Sequence, residues 1–248
     1  MTQENSQEQR LRGIYLLPNF LTLIGIFSAF YAIIAAMLGK FGYAGIAILI
    51  AVLFDGLDGR VARLAHAETA FGAQLDSLAD MISFGLAPAL LLYTWSLSTL
   101  GKGGWLVAFL YVACTALRLA RFNVQLVHPD KRYFQGLNTT VSAAFVASLV
   151  WSAVYYGVNF QGIEMVVMLL TIMLALLKVS NVRYRSFKDM DVRNKVPFLA
   201  IFLVVLVFVL IAFEPPLVLL ILSALYVFSG PVMTLLGFWR ARRKGKQA

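Results

Sequence analysis

An all-α integral membrane protein is the fold class this sequence predicts, on three observations. Hydrophobic residues fill 60% of the 248 positions and charged residues only 13%, where soluble domains carry roughly a quarter charged residues. The apolar residues fall into eight runs of about 20, the length that crosses a hydrocarbon core as a helix. Lysine and arginine gather at alternate turns: with the N-terminus inside, Lys40 and Lys102 alone lie outside, and the other nineteen of twenty-one lie at or near the inner side. That is the positive-inside pattern. The net charge of +9 is therefore a matter of topology, and nucleic acid is not expected as a partner.

In chain order, residues 1–15 form a polar, cytoplasmic N-terminal segment, and helices are predicted near 16–38, 42–63, 73–97, 104–124, 138–157, 162–180, 196–213 and 217–238. The first apolar run is too long for a signal-peptide core, and no small-residue cleavage site follows it. Pro18 suits a first helical turn, with Asn19 and Thr22 either capping that turn or reaching a polar ligand. Gly39-Lys40, the Gly101 to Gly104 run, Gly157 to Gly162 and Glu214-Pro215-Pro216 supply the outer turns. His66 and Glu68 read as solvated loop residues. Cys114, the single cysteine, sits in an apolar run, where it packs and forms no disulfide within one chain. Residues 239–248 make a basic cytoplasmic tail.

One stretch breaks the apolar rule. Asp55 and Asp58 are three apart on the second span, and Asp76 and Asp80 are four apart on the third, so each pair shares a helix face. Ionised side chains inside a membrane mark a pathway or a site, and four crowded carboxylates need cations to balance them. Two divalent ions would do so. Oxygen ligands, without cysteine or histidine at ligand spacing, favour Mg2+ or Mn2+ over zinc. Gly59 and Ala62 lie one turn after Asp55 and Asp58, and Gly72 one turn before Asp76. Such small residues either leave room for a ligand or let helices pack closely. Arg63 offers a fork for phosphate or snorkels to the membrane edge. Arg118 and Arg121, three apart with Asn123 beyond them, mark topology when judged from charge alone.

The run Asp55-x2-Asp58-Gly59-x2-Ala62-Arg63-x8-Gly72-x3-Asp76-x3-Asp80 resembles the complete signature of the CDP-alcohol phosphotransferases. Three further stretches are similar to the phosphatidylserine synthase branch of that family: Arg118-x-Ala120-Arg121-Phe122-Asn123, Phe134-Gln135-Gly136-Leu137, and the frame from Val179 to Lys188. Asn138 and Thr140 depart from it, standing where the branch usually has prolines.

The resemblance implies a six-helix catalytic core over residues 16–188, followed by two additional transmembrane helices over 189–238, and a homodimer in a lipid bilayer. The substrates it implies are CDP-diacylglycerol and L-serine. Asp55, Asp58, Asp76 and Asp80 would hold two metal ions, with Asp80 also the catalytic base. Gly59, Ala62, Arg63, Gly72, Asn19 and Thr22 would line the CDP-diacylglycerol site, and Arg118, Arg121 and Asn123 would meet serine or phosphate. The site would face the cytoplasm, at a bacterial inner membrane. Another alcohol (glycerol phosphate, inositol phosphate or choline) is the alternative within the family. A cation transporter is the alternative outside it, though such proteins favour broken helices near the midplane and repeated halves, neither of which the sequence displays.

Overall fold

The computed structural model describes residues 2–65, 69–125, 134–158, 162–184 and 198–244. The loop positions His66 and Glu68, and Arg185 to Lys188 of the third resembling stretch, lie outside the described residues, as do 245–248 of the tail.

Helix α1 (Thr2–Met37) turns through Gly39 into α2 (Phe41–Leu64). Gly39 takes a positive φ of 72°, open to glycine without steric penalty. The third apolar run is built from α3 (Ala70–Asp80), a π-helical turn over Met81–Leu86, and α4 (Ala87–Trp95). A 3-10 turn at Leu97–Leu100 leads into α5 (Lys102–Gln125). Then come β1 (Phe134–Gln135), α6 (Thr139–Tyr155), α7 (Glu164–Val179), β2 (Arg183–Tyr184), α8 (Phe198–Phe213) and α9 (Pro215–Lys244). The two short strands pair antiparallel, Phe134 opposite Tyr184 and Gln135 opposite Arg183.

Among the described residues, five stretches are long and apolar enough to cross a membrane: Leu16–Met37, Phe41–Leu64, Ala70–Trp95, Lys102–Val124 and Pro215–Thr234. The chain is thus a multi-pass helical membrane protein. The other three of the eight predicted spans form helices α6, α7 and α8, of 17, 16 and 16 residues. At 1.5 Å per residue they reach about 24–26 Å, short of a core of about 30 Å.

Two local expectations need correction. Pro18 does not open helix one but lies inside α1, because the polar residues before it continue the helix. The strand pair was not anticipated, since two-residue strands have no periodicity to read.

Small residues bring the helices together. Ala29, Ala32, Ala35 and Ala36 of α1 are buried, as are Ala44, Ala47 and Ala51 of α2, and Ser28 Oγ donates to the Ala47 carbonyl at 2.7 Å. On another face of α2, a Cβ on Gly45 would stand 2.7 Å from the Ala147 carbonyl of α6. Backbone contact of this kind is how small residues pack apolar helices. Cys114 is buried and unpaired, as expected.

Candidate active site

The acids of α2 and α3 face each other. Carboxylate oxygens of Asp55, Asp76 and Asp80 lie within 4.8 Å of one another. Asp58 lines the same cavity, together with Thr22 and Gly25 of α1, Ala51 of α2, Ala79 of α3, and Ser83 and Phe84 of the π turn. It is only 4% exposed, and the Thr22 hydroxyl donates to its Oδ2 at 2.7 Å. The first turn of α6 closes another side, where Thr140 Oγ1 lies 3.5 Å from Asp55. The π turn begins directly after Asp80, and such widened turns are frequent at functional sites.

The remaining signature residues stand outside that cavity wall. Arg63 folds back over Gly59: a Cβ there would sit 3.6 Å from its guanidinium. Gly72 is approached by Asn19 Oδ1, 3.2 Å from where a Cβ would be, and by Thr69 Oγ1, 3.1 Å from the same point. Thr69 caps α3 by accepting from the Gly72 N–H at 3.0 Å. Asn19, midway along α1, thus meets the start of α3. Ala62 is half-buried in the last turns of α2.

Arg118 and Asn123 of α5 also come to the site. Asn123 Nδ2 donates to Ser77 Oγ at 3.1 Å, next to Asp76 in sequence. Arg118 is 9% exposed, its Nε is buried without a hydrogen-bond partner, and Asp80 is within electrostatic range of its guanidinium. Arg121 does not join them. It is exposed, with its guanidinium 3.5 Å from the Val179 carbonyl.

Sequence reasoning missed Lys178, at the last turn of α7. This lysine is fully buried; its Nζ donates to Thr115 Oγ1 at 2.7 Å and lies 3.1 Å from the centre of the Tyr111 ring. The Tyr111 hydroxyl in turn meets Ser142 Oγ of α6 at 3.1 Å. Arg118 is within electrostatic range of Lys178, so two buried basic side chains adjoin. A lysine inside an apolar run was the available signal. Thr22 and Gly25, three apart on α1, form a polar and small pair of the kind already noted on α2.

The donor set fits hard divalent ions. Every ligand is a carboxylate oxygen, three of them converge, and the charge of four acids matches two ions.

A sequence profile of the CDP-alcohol phosphatidyltransferase family matches residues 15–177. Proteins named CDP-diacylglycerol–serine O-phosphatidyltransferase from two strains of Helicobacter pylori are 35% and 34% identical over 220 residues, covering 89% of this chain and 89% of each relative. A protein named archaetidylserine synthase from Methanothermobacter thermautotrophicus is 34% identical over 179 residues, 71% of this chain and 72% of its own.

Proposed function

The chain belongs to the CDP-alcohol phosphatidyltransferase family, and from that premise we propose that it moves the phosphatidyl group of CDP-diacylglycerol onto the hydroxyl of L-serine, giving phosphatidylserine and CMP. The observation that carries this reading is an acidic cavity with a buried arginine near it. Three converging carboxylates form one part, and a buried guanidinium with an unpartnered Nε stands within electrostatic range of Asp80. The first suits a diphosphate held through cations, and the second suits the carboxylate of an amino-acid acceptor.

Asp55, Asp76 and Asp80, with Asp58 beside them, are the residues to hold two Mg2+ or Mn2+ ions. When bound, such ions neutralise the charge that builds on the diphosphate as CMP departs. The other tasks fall to side chains. Asp80 takes the proton of the serine hydroxyl, whose oxygen forms a bond to the phosphatidyl phosphorus while the bond from that phosphorus to CMP breaks. CMP leaves with the electron pair, and Asp80 returns its proton to water. Arg118, with Lys178 behind it, receives the serine carboxylate. Thr22 holds Asp58 in place, and Arg63, over Gly59, faces the nucleotide phosphate. Gly72, Asn19 and Ala62 shape that side of the pocket, Asn123 ties α5 to α3, and Arg121 guides anions at the rim.

All eight apolar helices cross the membrane in this reading, with the acids toward the cytoplasm. Supporting it, the Tyr156 hydroxyl donates to Glu214 at 3.0 Å, which joins two of the turns assigned to the outer side. A cysteine placed at Ser98 in a Cys114→Ala background should be labelled from outside intact cells by an impermeant reagent, and one at Ser6 should not. The opposite pattern would turn the site away from its nucleotide. A homodimer follows from the resemblance, and a bacterial inner membrane from the bacterial source of the Helicobacter relatives.

The test gives purified protein CDP-diacylglycerol and Mn2+ with serine, glycerol phosphate, inositol phosphate or choline in separate reactions, following CMP. Serine should react and a chelator should stop the reaction. Release of CMP with another alcohol and not with serine would refute the acceptor while leaving the family in place.

A further inference from the structure

One polar side chain of the acid-lined cavity has no task in the reading above. The wall carries polar side-chain atoms on the four aspartates, Thr22 and Ser83. Ionised aspartates only accept hydrogen bonds, and the Thr22 hydroxyl is engaged with Asp58 at 2.7 Å. Ser83 is 3% exposed and has no hydrogen bond to any described residue. Serines in apolar helices often return the hydroxyl to a carbonyl of the preceding turn, as Ser148 does to Ala144 and Ser223 to Leu219, each at 2.7 Å. Ser83 does not; it faces the cavity instead. The hydroxyls of Ser96 and Ser152 also lack partners, but neither residue lines this wall.

The helix register places Ser83 at one end of the cavity. Helices α1 and α2 run antiparallel, paired by Thr22 on Asp58 and by Ser28 on Ala47. Between those pairs, a Cβ on Gly25 would stand 3.9 Å from the Ala51 carbonyl. Gly25 and Ala51 therefore lie on the side of the acids away from the loop joining α2 to α3. Ser83 and Phe84, about one turn past Asp80, lie at the same end, where Ser83 alone offers a polar side-chain atom. The π turn is held in place, with Phe84 1% exposed and Gly85 so close to α5 that a Cβ would stand 3.3 Å from the Thr115 methyl.

We infer that Ser83 is a further residue of the metal site, its hydroxyl oxygen accepting a hydrogen bond from water bound to the divalent ions at this end of the cavity. This rests on the reading that the acids hold Mg2+ or Mn2+. Mg2+ demands octahedral oxygen coordination and usually keeps several waters. A water enclosed between an ion and the protein needs two to four polar partners, and Gly25, Ala51 and Phe84 offer it no side-chain atom. A buried hydroxyl without a partner is costly, so a bound water gives a reason for serine at a place that alanine would fill as well. A phosphoryl oxygen of the substrate is the competing occupant.

The experiment titrates the full-length protein in detergent with Mn2+, followed by electron paramagnetic resonance, in the absence of lipid substrate. Ser83→Ala should weaken Mn2+ binding about tenfold, the lower end of the range for residues that act through a metal's ligands. The melting temperature of the metal-free variant should hold or rise, since no bond within the protein is lost. Ser152→Ala, which removes a buried hydroxyl of α6 that does not line the cavity, should leave Mn2+ affinity within twofold of wild type. A second titration follows CDP-diacylglycerol binding at saturating Mn2+ without acceptor, where Ser83→Ala should also stay within twofold. Unchanged Mn2+ affinity in Ser83→Ala overturns the inference, as does an equal loss in Ser152→Ala. A loss confined to CDP-diacylglycerol binding overturns it too, by placing the hydroxyl on the substrate's phosphate. If wild type binds no Mn2+, the metal reading itself has failed and the inference falls with it.

Discussion

The acids that line the cavity and the basic residues near them were assembled by different means. The acidic half is local: Asp55, Asp58, Asp76 and Asp80 fall within one stretch of sequence, on two helices joined by a short loop. The basic half is scattered, with Arg118 on α5 and Lys178 on α7. Spacing along a helix positions the acids, whereas the basic residues meet only after the bundle has packed. On the proposed reading, the metal chemistry is carried in a compact motif, while the acceptor is met by residues from separate helices.

The largest effect should come from the acidic half. Asp80→Asn, assayed for CMP release at saturating metal, should lose about 10²- to 10⁴-fold in turnover, the range of general base catalysis. Turnover near wild type would remove Asp80 from the base role and blur the contrast between the halves. Next in size is Thr22→Val, which deletes the hydroxyl that donates to Asp58 at 2.7 Å. Loss of a partner that orients a ligand typically weakens metal affinity 10- to 100-fold. Mn2+ titration followed by electron paramagnetic resonance should show that loss, with the serine KM little changed.

Lys178→Met probes the basic half. Replacing a buried charge by an apolar chain of similar length is often neutral or stabilising, so the melting temperature should hold or rise. The serine KM should increase about tenfold as the amine beside Arg118 is lost. A drop in melting temperature with an unchanged serine KM would make Lys178 a structural residue. Gly45→Ala, outside both halves, should have the smallest effect on activity. Its Cβ would press on the Ala147 carbonyl and cost about 1–3 kcal/mol of stability, read as a lower melting temperature with both KM values unchanged.

The same division explains what could be read from the chain. Five of the spans followed from apolar run length, and the shared face of each acid pair from helical spacing; that the two pairs face each other came from the folded chain. The distinct position of Asp58 could not be read, because its hydrogen bond comes from Thr22 on another helix. Lys178 reads locally as a charge near a membrane edge, and only the packing of α5 against α7 buries it on Tyr111 and Thr115. Tyr184 and Pro231 are ordinary residues in sequence. They meet because Pro231, inside α9, leaves the Val227 carbonyl without its helical donor, and the Tyr184 hydroxyl donates to it at 3.0 Å.

The most direct test of this two-part site compares L-serine with L-serine amide, which keeps the hydroxyl and the amine but lacks the carboxylate charge, in wild type and in Arg118→Ala. The basic half, as described, should make wild type prefer serine in kcat/KM by about 10- to 100-fold, the scale of a charged hydrogen-bonded contact, and the preference should fall toward unity in Arg118→Ala while the chelator-sensitive release of CMP persists. A variant that keeps the wild-type preference would contradict the account, since the acceptor's carboxylate would then be read somewhere other than at the buried arginine.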